Sequence, residues 1–171
     1  MKSAEGIYSF IDQQKYNLYI VELTHKSWEA ILPDGTRTAI DKNDFSFEEN
    51  GKRIKPDFAY ITIHGTPGEN GILQGYFELI GMPYSTCDVL VSALTFSKFL
   101  LNQYLKGFGI RVAESLLVKK KNGITDEQVM ETIGLPCFIK PNASGSSFGV
   151  TKVKTKEQIQ PALEAAFKES D

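Results

Sequence analysis

Long hydrophobic stretches are missing from this 171-residue sequence. No apolar run approaches the ~20 residues that a bilayer-spanning helix requires. Cysteine is scarce: Cys87 and Cys137 have no metal-ligand spacing, and the plain reading is two reduced, small hydrophobes in a cytosolic protein. Neither charge sign dominates. Nineteen Lys and Arg against 21 Asp and Glu give a net charge of −2, which provides no basic footprint for nucleic acid and no polybasic face for a membrane. Met1-Lys2-Ser3-Ala4 leads into a polar segment, so no signal peptide is expected. No repeat or low-complexity stretch occurs. What remains, 42% hydrophobic and 23% charged, is a globular composition that suits one large domain or two small ones.

Periodicity predicts a first helix over residues 3–14, strands over 17–23 and 28–32, and a turn at Pro33-Asp34-Gly35. A loop rich in Asp, Asn and Glu follows. Phe58-Ala-Tyr-Ile-Thr-Ile63 is apolar or β-prone on both faces, as a parallel strand buried under helices would be. A helix over 73–80 ends at Gly81-Met-Pro83. A second unit begins near Cys87, with one helix over 89–106 and a strand over 111–118. A helix over 125–133 opens with a Thr125–Gln128 capping box. Strands over 135–140 and 149–153 flank a loop, and a last helix over 157–168 is capped by Thr155 and tolerates Pro161 near its start. The order βαβ, then βαββα, predicts an α/β chain with α+β character in the second unit, divided into 1–87 and 88–171.

The densest chemistry lies in Phe138-Ile-Lys140-Pro141-Asn-Ala-Ser144-Gly145-Ser146-Ser147-Phe-Gly149-Val. Alternating Gly and Ser between two strands lets several N–H groups converge on phosphate oxygens, and Lys140 adds a point charge at the end of the incoming strand. Strand alternation puts Phe138 on the same face as Lys140, where a ring can lie beside a bound base. No Gly-Lys-Ser/Thr opens a helix here, so this is not a Walker loop. A mobile hairpin loop has the same composition. His64-Gly65-Thr-Pro-Gly68-Glu69-Asn70-Gly71 follows the expected buried strand, at the edge where ligands bind in α/β sheets. His64 there can orient a carboxylate or steer a proton, or be a surface residue of a turn-rich connection. Glu69 fits a helix N-terminus equally well. Lys98, taken alone, is a solvated lysine on an amphipathic helix, and His25 sits in a polar turn without an evident role.

These segments together resemble the D-alanine–D-alanine ligases of the ATP-grasp superfamily. The resemblance runs in order through His64-Gly65, Gly68-Glu69-Asn70-Gly71, Leu73-Gln74-Gly75, Pro83-Tyr84-Ser85, Lys98, Gly134-Leu-Pro136, Lys140-Pro141 and Gly145-Ser146-Ser147-Phe-Gly149-Val150. It implies a truncated Rossmann-like pre-ATP-grasp domain followed by the N-terminal lobe of an ATP-grasp domain. It implies an ATP-dependent joining of two D-alanines through an acyl phosphate, for peptidoglycan and hence cell shape. Lys98 and Lys140 take the place of the two phosphate lysines, and Phe138 belongs to the same ATP site. Gly145, Ser146, Ser147 and Gly149 correspond to the lid loop, with the Ser146 hydroxyl locking the closed state, and His64 to the residue that orients the first D-alanine. Asn70 stands where the family usually has Asp, and Ser97 replaces an Asp often found before the lysine.

The resemblance also implies magnesium, whose ligands would lie in a C-terminal part outside this sequence. No metal ligand is expected within the chain itself. Its partners would be D-alanine and ATP, with a homodimer in the complete enzyme. The sequence is expected to be a piece of that enzyme, lacking a first strand as well, and inactive alone. The missing strand should leave open edges at 18–23 and 58–63. A D-alanine–D-lactate ligase piece and a non-catalytic nucleotide-binding module are the alternatives.

Overall fold

The computed structural model describes residues 2–144 and 148–170. They fall into two compact units: Met1–Thr62 with Gln74–Thr86, and Ile63–Leu73 with Cys87–Asp171. Helices and small sheets alternate in both, so the mixed α/β character is as expected.

The first unit opens with α1 (Lys2–Phe10) and an antiparallel sheet of β1 (Ile20–Leu23), β2 (Trp28–Ile31) and β3 (Arg37–Ala39), in that spatial order. Arg37 ties the three strands together by reaching Glu22 on β1 and Glu29 on β2. β1 is an edge strand with β2 as its partner. The acidic loop expected after β3 in fact contains a hairpin, β4 (Phe47–Glu49) and β5 (Lys52–Ile54). Asn50 and Gly51 turn it, both with positive φ, and Asn-Gly is the strongest short hairpin signal. Phe45 and Phe77 meet edge to face at 5.1 Å, and Trp28 meets Tyr76 in the same way at 5.1 Å. With Ala30, Ile40, Phe47 and Met82, these phenylalanines form the buried core of this unit.

The buried parallel strand expected over 58–63 is corrected by the structure. Among the described residues this segment forms a single parallel bridge, Ala59 to Tyr84, with Ala59 N–H on the Pro83 carbonyl and Ser85 N–H on the Ala59 carbonyl. Ala59 is buried while Phe58 and Tyr60 stay more than half exposed. A β-prone run becomes a central strand only where strands pair along both of its edges, and the short 83–85 segment provides a single bridge. α2 (Ile72–Leu79) follows.

In the second unit the single helix expected over 89–106 is two: α3 (Val89–Phe96) and α4 (Lys98–Gly107). Ser97 ends one and caps the other in extended conformation (φ −87°, ψ 103°). Residues 111–118, expected as a strand, pair with no strand among the described residues, because β6 (Cys137–Ile139) is bonded only to β7 (Thr151–Val153). α5 (Asp126–Thr132) carries the full Thr125–Gln128 capping box. A 3₁₀ turn (Lys156–Gln158) runs into α6 (Ile159–Ala166), where Pro161 occupies the first turn, which needs no internal N–H. One face of α6 buries Ile159, Ala162 and Leu163 against Val129, Cys137 and Val153, and this core holds the β6–β7 hairpin in place.

Candidate functional site

β6 presents alternate faces: Cys137 is buried in the core and Phe138 is 63% exposed on the opposite side. All three β6 residues line a cavity of about 850 Å³, together with Lys98 and Phe99 of α4, Lys140 and Asn142 after β6, and Phe148 and Val150 before β7. The size is that of a small-molecule site. Of the sequence-predicted site residues, Lys98, Phe138 and Lys140 are therefore brought together.

Lys98 is the first residue of α4 and half-buried. Its ammonium donates to the Ser144 carbonyl at 2.5 Å and lies 3.5 Å from the Asn142 carbonyl. Partial burial and the like charge of Lys140 hold the Lys98 ammonium below its ordinary value of 10.5. A half-buried ammonium lowered by burial and by a neighbouring cation marks a position where an anion is stabilised. Phe138 carries Lys152 over its ring, with Nζ 5.9 Å from the centroid.

Gly149 is not among the cavity-lining residues. Its φ is +67°, and a Cβ there would stand 2.9 Å from Glu169 Cγ and 3.0 Å from Pro141 Cγ. The backbone thus passes through a slot between the loop and the end of the chain, at an angle only glycine takes without strain. Gly145, Ser146 and Ser147 lie outside the described residues.

His64 does not line this cavity; its side chain is 82% exposed. Glu69 folds back beneath it, accepting the Gly65 N–H at 2.7 Å with its other oxygen 3.9 Å from His64 Nδ1. The carboxylate closes the loop on itself, a role compatible with either sequence reading.

Sequence reasoning passed over Asn142. Its Oδ1 accepts the Phe99 N–H at 2.9 Å, its Nδ2 donates to Ser97 Oγ at 3.0 Å, and its carbonyl accepts the Lys98 N–H at 3.1 Å. Asparagine in a Gly/Ser loop carries no signal of its own; only the helix break at Ser97 gives it these partners. Among the described residues no three His, Cys, Asp or Glu side chains are grouped to hold a metal ion. Nor is any described helix long and apolar enough to cross a membrane.

Both ends of the chain match models of one ligase family. The model described as D-ala D-ala ligase N-terminus matches residues 1–87, and D-ala D-ala ligase C-terminus matches residues 104–171. The chain belongs to the D-alanine–D-alanine ligase family. The D-alanine–D-alanine ligase of Phocaeicola vulgatus is 72% identical over all of this chain and 53% of its own length. That of Bacteroides thetaiotaomicron is 63% identical over 98% of this chain and 52% of its own. Among solved structures, the D-alanine–D-alanine ligase from Coxiella burnetii superposes with a TM-score of 0.83 at 26% identity, covering 99% of this chain and 54% of that one. The VanG D-Ala:D-Ser ligase from Enterococcus faecalis gives 0.79 at 30% identity, covering 98% and 55%. The chain spans about half the length of the curated relatives it matches.

Proposed function

We propose that this chain supplies the phosphate-gripping half of an ATP-dependent D-alanine–D-alanine ligase. The observation that carries the reading is the meeting of Lys98, Lys140 and Phe138 at one cavity of about 850 Å³. Two ammonium groups neutralise charge on the polyphosphate tail, and the exposed ring lies beside the base. The N–H groups from Gly145 to Gly149, with the Ser146 hydroxyl, cover the phosphoryl group in transfer. His64 orients the carboxylate of the first D-alanine. That carboxylate attacks the terminal phosphorus of ATP, ADP leaves, and the amine of a second D-alanine displaces phosphate from the acyl phosphate. The residues of this chain contribute fixed positive charge and positioning in a site shielded from water.

Magnesium belongs to the chemistry the family implies. On this reading its ligands lie outside this chain, and the residues named here act on the phosphates and on the D-alanine carboxylate. A cytoplasmic setting, a homodimer in the complete enzyme and a role in peptidoglycan precursor synthesis belong to the same reading.

Calorimetric titration with ATP tests it. The purified chain is expected to bind ATP weakly, and Lys140→Ala and Lys98→Ala each to lose about tenfold or more in affinity, the value of one charge-assisted contact. Unchanged affinity in both variants would count against the site. D-Alanyl-D-alanine formation by the chain alone is not expected, and its detection would overturn the assignment of half a catalytic site.

A further inference from the structure

A helix begins with backbone N–H groups that have no partner inside it, and where those groups find acceptors decides how rigidly its first residues are held. At the start of α4 the N–H groups of Lys98 and Phe99 both go to one residue, Asn142, the first to its carbonyl at 3.1 Å and the second to its Oδ1 at 2.9 Å. The Leu100 N–H reaches only the Ser97 hydroxyl, at 3.4 Å. Asn142 then grips that hydroxyl with its own Nδ2, at 3.0 Å. One side chain and its carbonyl hold three consecutive residues, with Lys98 at the centre, across 44 residues of sequence.

The two tasks of the carboxamide need both an acceptor and a donor on one short planar head, and asparagine has that combination. The buried Ser97 hydroxyl is the complementary half. From this anchored start the lysine stem reaches the Ser144 carbonyl, beside Lys140.

We propose that Asn142 is the positioning residue for Lys98: its carboxamide, locked to Ser97, fixes where the lysine presents its ammonium to an anionic ligand. The proposal rests on the nucleotide reading above for the identity of that ligand, though not for the clamp itself. Asn142 acts through Lys98 and needs no contact with the nucleotide.

A mutant cycle on the 171-residue chain separates this from a purely structural role. Asn142→Ala is expected to weaken ATP binding about five- to tenfold, in line with the loss of a helix cap, and Ser97→Ala to do the same. In a Lys98→Ala background Asn142→Ala should cost nothing further, because nothing is left to position. An equal loss in both backgrounds overturns the proposal. If Asn142→Ala does not fold by circular dichroism, Ser97→Ala completes the cycle from the other end of the contact.

A second readout needs no nucleotide. In a proton–nitrogen spectrum of lysine ammonium groups, Lys98 should give a distinct, slowly exchanging signal in the wild type that Asn142→Ala merges with the exposed lysines. Retention of that signal in the variant overturns the proposal. If Lys98→Ala and Lys140→Ala both leave ATP affinity unchanged, the nucleotide reading falls, and this spectrum alone decides the role of Asn142.

Discussion

The ammonium of Lys98 rests 2.5 Å from the carbonyl oxygen of Ser144, within reach of the field of Lys140. Burial and that like charge favour the neutral amine, whereas a bound polyphosphate favours the ammonium. The sign follows directly. ATP affinity should be flat at neutral pH and fall as pH rises through the lowered Lys98 value, which lies below 10.5. Calorimetry from neutral to alkaline pH checks this, with Lys98→Arg as control, since a guanidinium stays charged throughout. A wild-type curve that stays level wherever the arginine variant does would refute the assignment of Lys98 to the anion.

Asp44 predicts an acid limit in the first unit. The Ser46 hydroxyl and N–H, and then Arg53, hold its carboxyl down to about 2, against an ordinary 3.8. A carboxylate lowered on folding adds stability above 3.8 that is lost as pH falls from 3.8 towards 2. Ser46→Ala removes the largest cause, so the carboxyl should titrate closer to 3.8 in a carbon-13 NMR experiment. Titration at the wild-type position would mean that the residue-46 N–H and Arg53 sustain the shift without the hydroxyl.

Val153 and Ile159 are both 0% exposed in the core beneath β6 and β7. Ile159→Ala should destabilise by about 2–5 kcal/mol, through lost burial and the cavity left behind. Leu90→Ala, at a position 74% exposed, should stay within about 0.5 kcal/mol. Urea denaturation curves read both, and comparable midpoints in the two variants would place the core elsewhere.

Gly149→Ala combines two penalties, a positive φ and a Cβ 2.9 Å from Glu169 Cγ. Gly123 shares the positive φ, +60°, but has open space around it. Gly123→Ala should therefore cost about 1–2 kcal/mol for the backbone alone. Thermal unfolding should show a larger loss for Gly149→Ala, and equal losses would mean that the slot around residue 149 yields.

Much of this was legible in the sequence because the signals were local. Thr125 and Gln128 form their box across only three positions. The alternation along β6 separates a buried Cys137 from an exposed Phe138 at once. Asn50-Gly51 was equally local, yet the acidic residues around it disguised the hairpin as a loop. The failures had non-local causes. Nothing between Val89 and Lys106 announces a break except Ser97, and serine ends a helix only when its hydroxyl and the next amides find partners, here on Asn142. Residues 58–63 have the composition of a central strand, but pairing depends on neighbours that composition does not reveal.

The joint at Ser97 also separates two kinds of evolutionary freedom. Because the rod is cut there, the start of α4 is set by the contact of Ser97 with Asn142 and not by an unbroken run of helix from α3. Lys98 takes its aim from a loop more than forty positions downstream, so drift in one helix need not be matched by drift in the other.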